Sequence, residues 1–278
     1  MRQDLPQLTT IFDAFEGLFA EKAAFKTELP DKDLSGVKIN PALFSQGRPI
    51  LDKEALAVAG DSLAMAAARL IPAMKKGFPK MAGHLESIAK AFEDSDERLT
   101  SLSASVCSPT GPELEELAAQ LELEPGLLEF VLSQLVKPFV QKASEAMMPL
   151  PEDLQWFKGY CPMCGAWPEL GFLEGKEGRR WLRCSFCGHE WTYSRTACPF
   201  CESPNPEDIE LFFSEDRDSE RAELCQKCMK YLVSIDVRNR VDEPVREVAA
   251  LGLVYLDVLA QEKGYSQGAS CPWNAVQK

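Results

Sequence analysis

Histidine is scarce: the chain has two in 278 residues, His84 and His189. That leaves little for a hydrolytic Ser/His/Asp arrangement, and no such set stands out. Basic charge is short as well. Thirty Lys and Arg stand against 43 Asp and Glu, a net of −13. Residues 1–158 carry 16 basic and 24 acidic side chains, and residues 159–240 carry 11 and 14. Neither part has the basic excess of a phosphate-backbone binder, so no nucleic-acid partner is expected. A neutral or basic patch on a partner protein is an easier target. Long apolar runs are missing too. The opening stretch M-R-Q-D-L-P-Q-L-T-T-I-F-D-A-F-E has acids inside its only apolar part, unlike a secretory signal. Nothing approaches the roughly 18 apolar residues of a spanning helix. The late segment A-A-L-G-L-V-Y-L-D-V-L-A is broken by Asp257. The expectation is a soluble, cytoplasmic protein without membrane insertion.

What is present divides in two. Residues 1–158 read as helices. The stretch 51–74 is rich in Ala, Leu and Met, and Pro72 is expected to end or kink its helix. A second helix is expected over His84 to Phe92, and a helical pair over 112–148 with a break at Pro125-Gly126. M-P-L-P-E-D, residues 148–153, reads as an extended linker. Beyond it, R-R-W-L-R, E-W-T-Y-S-R, D-I-E-L-F-F-S and Y-L-V-S-I-D-V alternate as short strands. A closing helix runs roughly from Pro244 to Lys263, with Gly264 at its C-terminal cap.

The strand-rich part also holds four C-x-x-C pairs: Cys161/Cys164, Cys184/Cys187, Cys198/Cys201 and Cys225/Cys228. Cytosolic thiols are kept reduced, so such a segment is more often a metal site than a disulfide framework. Two C-x-x-C turns facing each other place four sulfurs at tetrahedral corners, which suits zinc or iron. Nineteen residues separate Cys164 from Cys184 and 23 separate Cys201 from Cys225, enough in each case for a returning hairpin. Sequential pairing gives a first site of Cys161, Cys164, Cys184 and Cys187 and a second of Cys198, Cys201, Cys225 and Cys228. Cross-braced pairing is the alternative. Both early pairs continue into glycine, C-P-M-C-G and C-S-F-C-G, which permits positive φ and lets N–H groups turn toward sulfur. The later pairs continue into Glu202 and Met229, so the second site is expected to be less regular.

The order and surroundings of these motifs resemble the FdhE family, accessory proteins of formate dehydrogenase. The likeness runs from Tyr160 to about Trp273. It takes in C-P-M-C-G, E-W-T-Y-S-R-T-A-C-P-F-C-E, E-L-C-Q-K-C-M-K-Y-L and the closing A-Q-E-K-G-Y. The resemblance implies an α+β protein: a helical domain over 1–158, rubredoxin-like metal modules over 159–197 and 198–240, and a C-terminal helix and tail over 241–278. It implies two metal ions, iron or zinc, one in each four-cysteine site. It also implies a cytoplasmic maturation factor, not itself an enzyme, that binds the catalytic subunit of formate dehydrogenase. The chain departs from the family in Cys271-Pro272, where Asn-Pro is usual. It departs again in P-V-R-E-V at the start of the closing helix, where an acidic pair is common.

Other features compete for attention. Residues 114–132 have the rhythm of a helix-turn-helix, but the second helix offers Glu129 and no Arg or Lys to meet DNA, so a packed hairpin is expected. His189 sits beside Cys187-Gly188 as a strand residue, since four cysteines already complete a site. Cys107 and Cys271 read as free thiols. Arg179, Arg180, Arg183 and Arg195 read as charge complementing the thiolates and nearby acids, with a docking patch as the alternative. Three roles follow in order: a binding and maturation factor, a rubredoxin-like electron carrier, and a zinc-ribbon nucleic-acid binder.

Overall fold

The structure is a computed structural model that describes residues 8–93, 97–106, 112–151, 154–214, 217–240, 244–271 and 273. The chain begins with α1 (Thr9–Glu28), α2 (Pro41–Ser45), α3 (Lys53–Leu56), α4 (Gly60–Gly77), α5 (Ala82–Ala91), α6 (Glu97–Ser105), α7 (Pro112–Gln120) and α8 (Pro125–Ala146). Strands follow: β1 (Pro168–Glu174), β2 (Arg179–Cys184), β3 (Glu190–Thr192), β4 (Ile209–Phe212), β5 (Glu220–Cys225) and β6 (Lys230–Asp236). It closes with α9 (Arg246–Gly252), α10 (Val254–Glu262) and β7 (Ser266–Gln267). No described helix is long and apolar enough to cross a membrane.

Two compact units result, one from residues 1–37 and 51–148 and the other from 38–50 and 149–277. In the first, α4 is the central helix and packs on α1, α5, α6 and α8. Its Leu63, Leu70, Ile71 and Met74 are fully buried with Phe15, Leu18, Leu85, Ile88 and Leu128. Phe78 links the layers edge-on, to Phe15 at 5.0 Å and to Phe130 at 6.2 Å. At Gly77 a Cβ would lie 2.0 Å from the Ala14 carbonyl oxygen, so α1 and α4 approach as only glycine allows.

Two helix expectations need correction. The 51–74 segment is two helices, with 57–59 between α3 and α4, and α4 continues through Pro72 to Gly77. Proline removes one helical donor, a cost of about 3 kcal/mol in an exposed helix; here Leu70, Ile71 and Met74, all buried, hold the helix on both sides of it. The closing helix is likewise split at Leu253. The 112–148 pair forms as α7 and α8, with Pro125 in the first turn of α8. α8 buries Leu128, Phe130, Val131, Leu132, Leu135 and Val136. This is a packed hairpin in place of a DNA-reading one.

The second unit is built on one mixed sheet in the order β3-β2-β1-β6-β5-β4, with β7 also on β6. Two hairpin modules run knuckle, strand, strand, knuckle, strand. They join where β1 lies parallel to β6, with Gly171 opposite Ser234 and Leu173 opposite Asp236. In both hairpins the first strand starts opposite a cysteine: Pro168 pairs with Cys184, and Ile209 with Cys225. The two hairpins differ just beyond that point: β1 shifts register between Pro168 and Leu170, whereas β4 runs unbroken along β5.

Candidate metal centres

The structure pairs the cysteines sequentially. Cys161, Cys164, Cys184 and Cys187 form one group and Cys198, Cys201, Cys225 and Cys228 the other, all ligand atoms within a group lying within 4.8 Å of one another. In the first, Cys161 Sγ is 3.5 Å from Cys187 Sγ and Cys164 Sγ 3.4 Å from Cys184 Sγ. In the second, the Cys198–Cys228 and Cys201–Cys225 separations are both 3.7 Å. Tetrahedral thiolates at a metal–sulfur distance of about 2.3 Å lie about 3.8 Å apart. The second group has that spacing and the first is slightly tighter, so each could hold one metal ion.

Each C-x-x-C is the same tight loop. The residue just after it folds back in three of the loops with equal geometry: Gly165 N–H to Cys161 O, Glu202 N–H to Cys198 O and Met229 N–H to Cys225 O, all at 2.9 Å. The first cysteine of three loops bonds across it: Cys161 N–H to Ala166 O at 2.9 Å, Cys184 N–H to His189 O at 2.9 Å, and Cys198 N–H to Ser203 O at 3.1 Å. Amides then point at sulfur. Met163 N–H faces Cys161 Sγ, and Phe186 and Cys187 N–H face Cys184 Sγ, all at 3.4 Å. Phe200 and Cys201 supply the same donors to Cys198, and Lys227 and Cys228 to Cys225. The residue after the second cysteine has positive φ every time: 79° at Gly165, 71° at Gly188, and 55° at both Glu202 and Met229. The irregularity expected of the second site is thus absent from its backbone, which adopts the glycine conformation without glycine.

Thiols packed this closely cannot all ionise unaided. Burial, and then the neighbouring sulfurs, hold Cys161 well above the ordinary thiol range. At Cys184 burial opposes ionisation, but hydrogen bonding from Cys161, Cys164 and Cys187 outweighs it and pulls the thiol well down. Burial likewise pushes Cys228 up to about 11. A bound cation offsets that mutual repulsion, and a four-sulfur donor set suits a borderline or soft one. Such a site is closed, with no position left for a reacting water.

The surroundings hold these loops in place. Residues 38–50 belong to this unit and clip the first loop. Tyr160 donates its hydroxyl to Gly47 O at 2.7 Å, and Ile50 N–H bonds Pro162 O at 2.9 Å. An aromatic row, Phe44–Trp156–Tyr160–Trp167–Phe200, runs from α2 to the third loop with ring centroids 4.7–5.8 Å apart. Sequence reasoning missed this clip, since nothing in G-R-P-I signals what the turn will cover.

The other candidate residues fall as follows. His189 lies outside both groups, buried and stacked on Trp191, and burial lowers its pKa to about 4. His84 is exposed on α5. Cys271 is buried and belongs to neither group, and Cys107 lies outside the described residues. Arg180, 2% exposed, pairs with Glu223 and donates to Ser194 O and Ala197 O at 3.0 and 2.9 Å. Arg183 meets Glu190 at 3.3 Å and Gly188 O at 2.8 Å. Arg180 ties the two modules together and Arg183 is paired within the first, so neither forms a docking patch; Arg179 and Arg195 are exposed. In the P-V-R-E-V departure, Arg246 turns inward to Glu190 at 2.6 Å and Glu174 at 3.2 Å, with its guanidinium 4.1 Å over the Phe172 ring.

Residues 160–195, which hold the first four-cysteine group, match the family described as FdhE, central domain. An FdhE homolog from Aquifex aeolicus is 34% identical over 142 residues, half of this chain and 49% of that one. A homolog from Haemophilus influenzae (strain PittGG) is 30% identical over 117 residues, 41% of this chain and 38% of its own. Protein FdhE of Escherichia coli O127:H6 is 29% identical over 119 residues, 41% and 37%. The matched stretch therefore spans about half, or less, of each curated relative's length. The fold is that of the crystal structure of the FdhE protein from Pseudomonas aeruginosa, with a TM-score of 0.60, 21% identity, and coverage of 91% of this chain and 85% of that one.

Proposed function

We propose that this chain is a cytoplasmic accessory factor that binds the catalytic subunit of formate dehydrogenase while that enzyme matures, and that each four-cysteine group holds one iron or zinc ion. One observation carries the reading: two closed four-sulfur groups, at metal spacing, on a sheet whose first module matches the FdhE central-domain family over residues 160–195. Closed sites supply shape to a docking surface and offer no place to activate water, which supports binding over hydrolysis. The acidic charge supports a protein partner over nucleic acid. With zinc the metal acts through folding alone; with iron, four fixed thiolates also permit one-electron transfer with little rearrangement.

The test is an anoxic affinity capture from the host, using wild type beside Cys161→Ser/Cys164→Ser, with metal counted in both. Retention of the dehydrogenase catalytic subunit by wild type, and its loss together with metal in the variant, is the expected result. A fully metallated wild type that retains no dehydrogenase contradicts the reading and favours a rubredoxin-like electron carrier.

A further inference from the structure

Among the described residues β4 is a free edge of the sheet. Its inner side is used by β5. Gln226 N–H donates to Asp208 O at 2.8 Å, so the antiparallel alternation gives the inward backbone bonds to Glu210 and Phe212, opposite Leu224 and Ala222. Ile209 and Leu211 then aim their backbone groups outward. The Ile209 N–H is taken by Pro206 O, which leaves the Ile209 carbonyl and both backbone groups of Leu211 on the open side. Leu211 is 49% exposed and Phe213, two residues on, 47%. Edge strands are usually guarded by Lys, Pro or a bulge. This one has none of them, and its register with β5 runs unbroken.

We propose that this edge takes up an extended segment of a partner protein, with alternating apolar and basic side chains, as an added strand. The open backbone groups require an extended occupant, and Leu211 and Phe213 favour apolar side chains at alternate positions. Charge selects the rest. From Glu207 to Asp216 the sequence has five acidic residues and no Lys or Arg. Lys263 already shows what the strand attracts: its ammonium lies 4.8 Å over the Phe212 ring and 4.0 Å from Glu210. A second copy of this chain fits poorly, since self-pairing would bring the two acidic strands together. The inference deepens the protein-binding reading above by giving the type of segment recognised.

The experiment uses the full metal-loaded chain and a fluorescent peptide of alternating Val and Arg, followed by anisotropy. Saturable binding that weakens with salt is expected, with little binding of the same peptide carrying Glu for Arg. Leu211→Pro removes an outward N–H that β5 does not use, and is expected to weaken binding about tenfold or more. Leu211→Ser/Phe213→Ser keeps the backbone donor and removes the apolar contact; it is expected to weaken binding as well. Metal content and circular dichroism show that each variant is folded. Equal affinity in both folded variants, or equal binding of the Glu peptide, overturns the proposal. So does a concentration-dependent dimer of wild type in sedimentation that Leu211→Pro abolishes, since the edge would then serve self-association. Peptide binding without dehydrogenase capture sinks only the dehydrogenase reading; capture undiminished by either edge variant, with no peptide binding, sinks only the edge.

Discussion

Glu202 and Met229 share one backbone angle, φ 55°, in the seats that Gly165 and Gly188 fill at the first site. Left-handed backbone costs a residue with a side chain about 1–2 kcal/mol, so the second site carries strain that the first avoids. Glu202 has a compensating contact, an ion pair with Lys158 at 3.2 Å. Met229 is 43% exposed. Met229→Gly is therefore expected to stabilise the metal-loaded protein by about 1 kcal/mol in denaturant unfolding, and Gly188→Ala to destabilise it by a similar amount. A destabilised Met229→Gly would show that the methionine side chain carries a contact worth more than the strain.

The clip over the first loop makes its own prediction. Gly47 has φ 101°, and a Cβ there would lie 2.5 Å from the Tyr160 hydroxyl oxygen. Gly47→Ala should therefore loosen residues 38–50, while Tyr160→Phe should cost about 1 kcal/mol through its lost bond to Gly47 O. Amide hydrogen exchange over 38–50 reads both. Unchanged exchange in both variants would mean that the clip is held by its aromatic contacts alone.

Arg180 and Glu223 link β2 of one module to β5 of the other, almost out of water. Removing one member of such a pair leaves a buried charge and costs about 3–5 kcal/mol. Glu223→Ala should fall in that range, and the apolar pair Arg180→Met/Glu223→Leu should recover most of it. A double-mutant cycle by chemical denaturation decides the matter.

The pH prediction concerns Asp257. It is buried on α10, accepts from Tyr231 Oη and from Gln267 Nε2, and faces the cavity that holds Cys271. Burial raises its pKa above 3.8, against the lowering effect of Tyr231 and Gln267. Folding is then favoured most where the carboxyl is protonated in both states, below about 3.8, and that contribution is lost as pH rises through the folded pKa. The stability of wild type relative to Asp257→Asn should fall over the acidic range above 3.8 and level off toward neutrality. A difference that does not vary with pH would show a normal carboxyl.

Much of this was legible in the sequence because metal sites are local. The C-x-x-C spacing sets the loop, and the 19 and 23 intervening residues allow a returning hairpin, so the sequential groups could be read beside the cross-braced alternative, and the structure brings together the sequential ones. The strand segments were readable from alternation for the same reason. What stayed hidden depends on contacts between distant residues. Pro72 looks like a helix end, and only the buried Leu70, Ile71 and Met74 show why α4 continues. Glu202 and Met229 look like departures from a glycine loop, yet hydrogen bonds to Cys198 O and Cys225 O impose the same turn. Gly47 and Tyr160 lie 113 residues apart, and no periodicity connects them.

The most direct test of the metal centres is to count metal per chain after anoxic purification of wild type, Cys161→Ser/Cys164→Ser and Cys198→Ser/Cys201→Ser, with absorption spectra to tell iron from zinc. Two ions in wild type and one in each variant is the predicted result. A wild type that is folded and reduced but binds no metal, or one that loses no ion when either cysteine pair is replaced, would contradict the assignment.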